Sequence, residues 1–462
     1  MIFGLPESTC RPPEHPNMVL SMARSRGVLA LMAITSLVTV WLCRLPQLNT
    51  DITRGPVLQR HLDLSLPDAP FVGWPLERVC SETSWTPGLV FVCDNNSGGI
   101  GNIRNYMLTC LRYAIDAGAT GLVMPRIRVR SEKDLSDITS ENYQPFTYFF
   151  DEPHFRQSLQ ASCPQITIYD TASDVPNAPA PFKTEEITPK NLGKRGGCDR
   201  RDHNKHSGLF ASAFANHLRS TAAEFNLAHP PSPEHPRIFR LTWGVQFEWP
   251  VFRDGPEFAS TFGGLLRFQP DILALGNKVV VHMRRHARQF DADSHSGRFV
   301  GYHLRTENDA LDFWPDYANQ SKAYLARSSQ MGYDMKAGYL ATGNETEAHK
   351  FFSDATVLHG MRVTTKDLLL GDYKEDLAAL EKLTWDQQAV VDFIVLLQSD
   401  FFLGVSPSSF SMNVALKRHL QAEGLHTRPW RIGGEGDGRS WLMGKYEQFW
   451  EDWLFMYEAM WP

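Results

Sequence analysis

Several things are scarce in this chain, and each scarcity excludes a class of protein. It has only seven cysteines in 462 residues, and no two of them have the spacing of a zinc ligand pair, which removes zinc-ribbon and zinc-finger modules. Excess positive charge is missing: 46 Lys and Arg against 52 Asp and Glu give a net charge of -6. With no concentrated basic run, a nucleic-acid partner has no electrostatic footprint. No G-x-S-x-G elbow and no H-E-x-x-H occurs, so hydrolase chemistry has no recognisable motif. Internal repeats and low-complexity tracts are absent as well. What is present is ordinary globular material, 42% hydrophobic and 21% charged, long enough for two domains plus a tail. The twelve tryptophans are weighted to the C-terminal end and are expected in core and interdomain packing.

One long apolar run stands out, Gly27 to Cys43, without charge or proline. It reaches the lower end of the roughly 17 to 25 residues that span a bilayer. Arg24 and Arg26 precede it and only Arg44 follows closely, so the positive-inside bias leaves the N-terminus in the cytosol and the rest in a lumen. The expected layout is a cytosolic tail (1–26), a signal anchor (27–43), a proline-containing stem (44–73), an N-terminal domain (74–230) and a C-terminal domain (231–462). The boundary between the two domains is placed in the run HPPSPEHPR, His229 to Arg237. A single-pass type II protein of the Golgi or ER membrane follows. Lumenal cysteines can oxidise; the expected bridges are Cys80 with Cys93 and Cys163 with Cys198, leaving Cys110 as a buried thiol. Glycosylation sequons occur at Asn95, Asn319 and Asn344, the first inside a segment expected to be buried.

Between Leu89 and Pro125 the pattern runs apolar strand, glycine-rich turn, amphipathic helix, apolar strand. Ile103, Met107, Cys110, Leu111 and Ala114 fall on one helical face and Gly118 closes the helix. Segments 172–190 and 194–206 read as long loops, suited to an acceptor cleft. In the second half, Arg298 to Arg305 reads as a strand with Val300, Tyr302 and Leu304 on one face and His303 and Arg305 on the other. GYLATG is another strand and turn. A helix opened by Thr384, with Gln387 at capping-box spacing, leads into the strand FFLGV, the turn SPSS and a further helix. Strands alternating with helices in both halves imply an α/β fold with two parallel sheets.

Parallel sheets bind ligands beyond the carboxyl ends of their strands, and three such places carry polar or glycine residues. The first is Gly98, Gly99, Ile100, Gly101 and Asn102, where backbone can approach a ligand and helix amides can face an anion; a structural tight turn explains these glycines equally well. The second is Arg305 with His303, a fork of donors able to grip a diphosphate; a salt bridge to Glu307 or Asp309 is the alternative. The third joins Asp392, a carboxylate in an apolar helix that needs donors, to Ser408 and Ser409 at a helix start. The paired N–H groups of a guanine edge would suit Asp392, as would an internal arginine or backbone amide. An N-cap role would account for either serine alone. Asp291 and Asp293 form a D-x-D, but it lies before a strand, and no metal is expected there.

The blocks GGIGNIR (Gly98 to Arg104), YHLRTEND (Tyr302 to Asp309) and VDFIVLLQSDFFLGVSPSSFSMNVALKRH (Val391 to His419) together resemble the three motif blocks of the GDP-fucose protein O-fucosyltransferase family. The resemblance implies a GT-B fold, two Rossmann-like domains facing a cleft, and an inverting transfer that needs no metal or other cofactor beyond the GDP-fucose donor. It implies that Gly99, Ile100, Gly101 and Asn102 line the sugar and catalytic centre, and that His303 and Arg305 contact the diphosphate, with Arg305 the charge stabiliser. Asp392 then lies near guanine, and Ser408, Ser409 and Phe410 near phosphate and base. Some relatives carry glutamate where Asn102 stands, which leaves the general base open; Glu307 is a candidate by proximity alone. The expected function is transfer of fucose from GDP-fucose to a hydroxyl of a protein or glycan. The alternative is a membrane-tethered pseudoenzyme that binds nucleotide-sugar or glycan without turnover.

Overall fold

A computed structural model describes residues 63–131, 137, 141–179, 184–187, 210–242, 248–290, 296–307, 309–310, 314–330, 335–423, 438–444 and 459–462. The expected anchor at 27–43, the D-x-D at Asp291 and Asp293, and Cys198 lie outside these residues. Among the described residues no helix is long and apolar enough to cross a membrane.

Two five-stranded sheets, every pairing within them parallel, form the frame. Helix α1 (Trp74–Glu82) precedes β1 (Thr86–Val92), α2 (Ile100–Asp116) and β2 (Ala119–Val123). A short antiparallel hairpin of β3 (Ile127–Arg128) and β4 (Tyr143–Gln144) follows. Then come α3 (Glu152–Ser162), β5 (Thr167–Tyr169), β6 (Glu185–Ile187), α4 (Phe210–Phe225) and β7 (Arg237–Leu241). The first sheet has the order β5-β2-β1-β7-β6. Its central strand β1 is apolar on both faces, as a strand covered by helices on each side must be; Leu89, Val90, Phe91 and Val92 are all buried.

Two helices, α5 (Pro256–Thr261) and α6 (Pro270–Arg288), lead into the second sheet. It is built from β8 (Val300–His303), α7 (Tyr317–Gln330), β9 (Ala337–Ala341), α8 (Glu345–His359) and β10 (Arg362–Thr364). After α9 (Lys366–Leu370) and α10 (Lys374–Glu381), α11 (Trp385–Leu397), β11 (Phe401–Val405), α12 (Ser409–Glu423) and β12 (Ser440–Met443) complete it. Its order is β10-β9-β8-β11-β12, which reverses direction between β8 and β11. The Thr384 and Gln387 capping box opens α11 as its spacing predicts. One apolar cluster runs from Phe91 and Leu111 of the first half to Val390, Ile394 and Trp461 of the second. Gly276 of α6 lets that helix lie against α11: a Cβ there would sit 2.8 Å from Ile394 side-chain atoms.

Four expectations are corrected. The run 229–237 is not a boundary, because β7 directly after it returns to the first sheet between β1 and β6. Within 172–190, Glu185–Ile187 is an edge strand and not loop. The end of the expected stem packs on the body, with Leu64 and Ser65 buried. The bridges are Cys80–Cys163 and Cys93–Cys110. Folding α2 back over β1 places Cys93 and Cys110 with Cα atoms 5.8 Å apart, whereas Cys80 in α1 meets Cys163 at the end of α3, Cα atoms 5.6 Å apart.

Candidate active site at the carboxyl ends of β1, β8 and β11

In a doubly wound sheet, the place where strand order reverses opens a crevice, because the connections on either side leave in opposite directions. Here that place lies between β8 and β11, which pair through Tyr302 and Leu403. His303 and Arg305 follow from β8, and Ser406 to Phe410 from β11, so two of the three blocks meet at the switch point. The first block reaches them from the other half of the molecule. A Cβ on Gly101 would lie 2.7 Å from the Ser409 carbonyl oxygen and 3.0 Å from the Phe410 amide nitrogen. Only glycine lets the first turns of α2 and α12 approach this closely. Gly98, with φ of +88°, turns the chain into α2, and the Asn102 amide folds back over it. Gly101→Ala is expected to push α12 away at a cost of about 1–3 kcal/mol, read as a lower urea midpoint together with weaker GDP binding; an unchanged midpoint would mean that the helices separate freely.

His303 is buried rather than presented to solvent. Its Nδ1 lies 2.6 Å from Ser411 Oγ, and its ring lies 4.5 Å from the Phe410 ring. Ser411 Oγ also accepts the Val405 amide, which ties the imidazole to the end of β11. Burial lowers the His303 pKa to about 4, with Glu307 opposing that shift and Arg305 adding to it; the ring is neutral at physiological pH.

Arg305 is held in the way the salt-bridge alternative describes. Nη1 donates to Glu307 Oε2 at 2.6 Å and Nη2 to Asp309 Oδ1 at 2.7 Å, all three side chains being largely buried. Burial disfavours the guanidinium charge, but Glu307 and Asp309 reverse the effect and hold the pKa above its ordinary value. Glu307 is not a free base: Oε2 takes Arg305 and Oε1 accepts the Gly343 amide at 2.8 Å. Asp309 in turn bonds Arg130 Nη1 at 2.8 Å through its second oxygen, and the Arg130 guanidinium lies 3.5 Å from where a Gly99 Cβ would be. The cluster therefore joins the β3 end of the first half to the β8 end of the second.

The other expected residues divide. Ser408 is the N-cap of α12, its Oγ accepting the Ser411 amide at 3.3 Å. Ser409 and Phe410 remain partly exposed at the helix start, where backbone amides lack helical acceptors. Asp392 does not need guanine: Tyr339 donates its hydroxyl at 2.6 Å and Lys366 its ammonium at 3.0 Å. Burial raises the Asp392 pKa, with Lys366 opposing. The arginines of the flanking blocks are structural. Arg104 donates to the carbonyls of Trp461, Gly263 and Pro462, and Arg418 to those of Leu396, Leu397 and Ser399.

Two residues escaped sequence reasoning. Arg130 follows a two-residue strand with no motif to mark it, and only the alternation of arginines at 126, 128 and 130 could have flagged it. Ser406 has a fully buried Oγ with no hydrogen-bond partner among the described residues, in the turn where phosphate contacts are expected; unsatisfied buried hydroxyls are uncommon away from sites of function.

Fold and site together define a doubly wound type of α/β protein, with a buried arginine–carboxylate cluster at a topological switch point. The family model for GDP-fucose protein O-fucosyltransferase matches residues 89–421, most of the chain, and the protein belongs to that family and is a glycosyltransferase. Among solved structures it is similar to POFUT1 in complex with GDP, at 13% identity and a TM-score of 0.42 over 78% of this chain and 99% of that one. A POFUT1 complex with GDP-fucose gives 11% identity and 0.39 over 79% and 99%. An arginine-to-lysine mutant of Arabidopsis thaliana FUT1 in complex with GDP gives 11% and 0.37 over 78% and 76%. No curated protein sequence matches.

Proposed function

We propose that the crevice binds GDP-fucose in a GT-B arrangement and transfers fucose to a hydroxyl of a protein or glycan acceptor, with inversion and without a metal. The observation that carries this reading is the buried, charged Arg305, two residues past the end of β8 at the switch point. In the reaction the acceptor oxygen bonds to the anomeric carbon and its proton passes to solvent water, while the bond from that carbon to the diphosphate oxygen breaks and GDP leaves with the electron pair. Negative charge grows on the departing diphosphate, and a guanidinium in a dry site stabilises it without needing to reorganise. The α12 amides at Ser409 and Phe410 face the same charge. Asn102 is assigned to orient the reacting groups at the mouth of the turn. Its amide is not a base, and Glu307 is occupied as the anchor of Arg305.

Two disulfides support an oxidising compartment, consistent with a lumenal body tethered by residues 27–43 in the Golgi or ER membrane. The second reading, a binding protein without turnover, is favoured by one observation: both ends of the Arg305 fork are held by carboxylates. Incubating the protein with GDP-fucose, a glycopeptide mixture and a chelator, and following fucose by mass spectrometry, separates the two. Fucosylated product is expected; GDP binding without product would establish the second reading.

A further inference from the structure

The Arg305 cluster holds two guanidinium and two carboxylate groups, with Arg130 and Arg305 sharing the two oxygens of Asp309. Its members come from both halves of the molecule, and all are largely buried. Such a set is neutral as it stands. Had Arg305 faced Glu307 and Asp309 alone, the cluster would be net negative and would repel the diphosphate that Arg305 is to hold.

We propose that Arg130 is a positioning residue for the donor site: by holding the second oxygen of Asp309 from the first half of the molecule, it keeps that carboxylate satisfied when Arg305 turns from it to the diphosphate of the GDP-sugar. The inference rests on the proposed role of Arg305. It follows from charge and geometry. Asp309 has two oxygens and two cationic partners, so whatever weakens one pairing strengthens the other. When a diphosphate enters, Arg305 can turn its Nη2 to phosphate oxygen while Asp309 keeps the Arg130 bond and stays satisfied. Without Arg130 the same turn strands a buried carboxylate next to an incoming anion, which is unfavourable on both counts. Because Arg130 lies against Gly99 and Asp309 follows β8, the arrangement also makes the affinity for the donor depend on the two halves being seated together.

The test is a charge cycle read by isothermal titration with GDP, followed by GDP-fucose turnover. Arg130→Ala is expected to weaken GDP binding about tenfold or more. Adding Asp309→Asn to Arg130→Ala is expected to return affinity to within about threefold of the parent, because the stranded charge is gone. A purely structural strap predicts the opposite, since the second substitution would remove a further bond; a double variant as weak as the single one, or weaker, overturns the proposal. If Arg130→Ala does not fold, Asp309→Asn alone decides: tighter GDP binding supports the proposal and weaker binding refutes it. Arg305→Ala is carried alongside. If it binds GDP like the parent, the reading of the donor site fails; if it loses binding while the Arg130 cycle shows no rescue, only the positioning role of Arg130 fails.

Discussion

Replacing Arg305 by alanine is expected to lower GDP-fucose turnover about 100-fold to 1,000-fold, the range seen when one preorganised charge stabiliser is removed from a closed site. The effect has two parts. The guanidinium that would meet the growing charge of the diphosphate is gone, and of the two carboxylates it bonds at 2.6 and 2.7 Å, Glu307 keeps only the Gly343 amide and Asp309 only Arg130 beside an anionic ligand. Arg305→Lys should fall between the parent and the alanine variant, since it keeps one charge but cannot bridge both acids and phosphate with a planar fork. Single-turnover measurement of GDP release, with circular dichroism to show that the variants fold, is the relevant assay. A rate within about threefold of the parent would remove Arg305 from the reaction.

The second large effect concerns stability. Lys366→Ala should destabilise the protein by about 3–5 kcal/mol, because it strips the ammonium from a buried carboxylate that retains only the Tyr339 hydroxyl. Urea unfolding gives the number, and a Lys366→Met, Asp392→Leu double variant should recover much of the loss, as apolar replacement of a buried ion pair often does. The experiment also decides what Asp392 is for. Were Lys366→Ala to leave the unfolding midpoint in place and abolish GDP binding instead, Asp392 would belong to the donor site.

The frame and the meeting of two motif blocks at the β8–β11 switch point are legible in the residues; the partners of the individual side chains are not. Strand and helix alternation located β1, β8, β9 and β11 because each is a short apolar run followed by a turn and an amphipathic helix, a local pattern. The three polar stations were found because ligand sites follow the carboxyl ends of such strands. What failed was everything set by contact across the sequence. Asp392 finds Lys366 only because α9 packs near α11, 26 residues apart in the chain, and Arg130 finds Asp309 across 179 residues. The cysteine pairing is hidden for the same reason, as the bridged residues are neighbours in space and not in sequence. β7 was hidden by the prolines before it, which mark a turn without saying whether the chain leaves the domain or comes back to it.

The Cys93–Cys110 link staples the end of β1 to the third turn of α2, and the loop it closes contains the whole glycine turn with Asn102. Material produced in a reducing bacterial cytosol would leave that loop untethered, however well the remainder folds. A failed assay on such a preparation would report the thiol state of the sample; secretion into the periplasm or through a eukaryotic export route is the condition under which the chemistry itself can be judged.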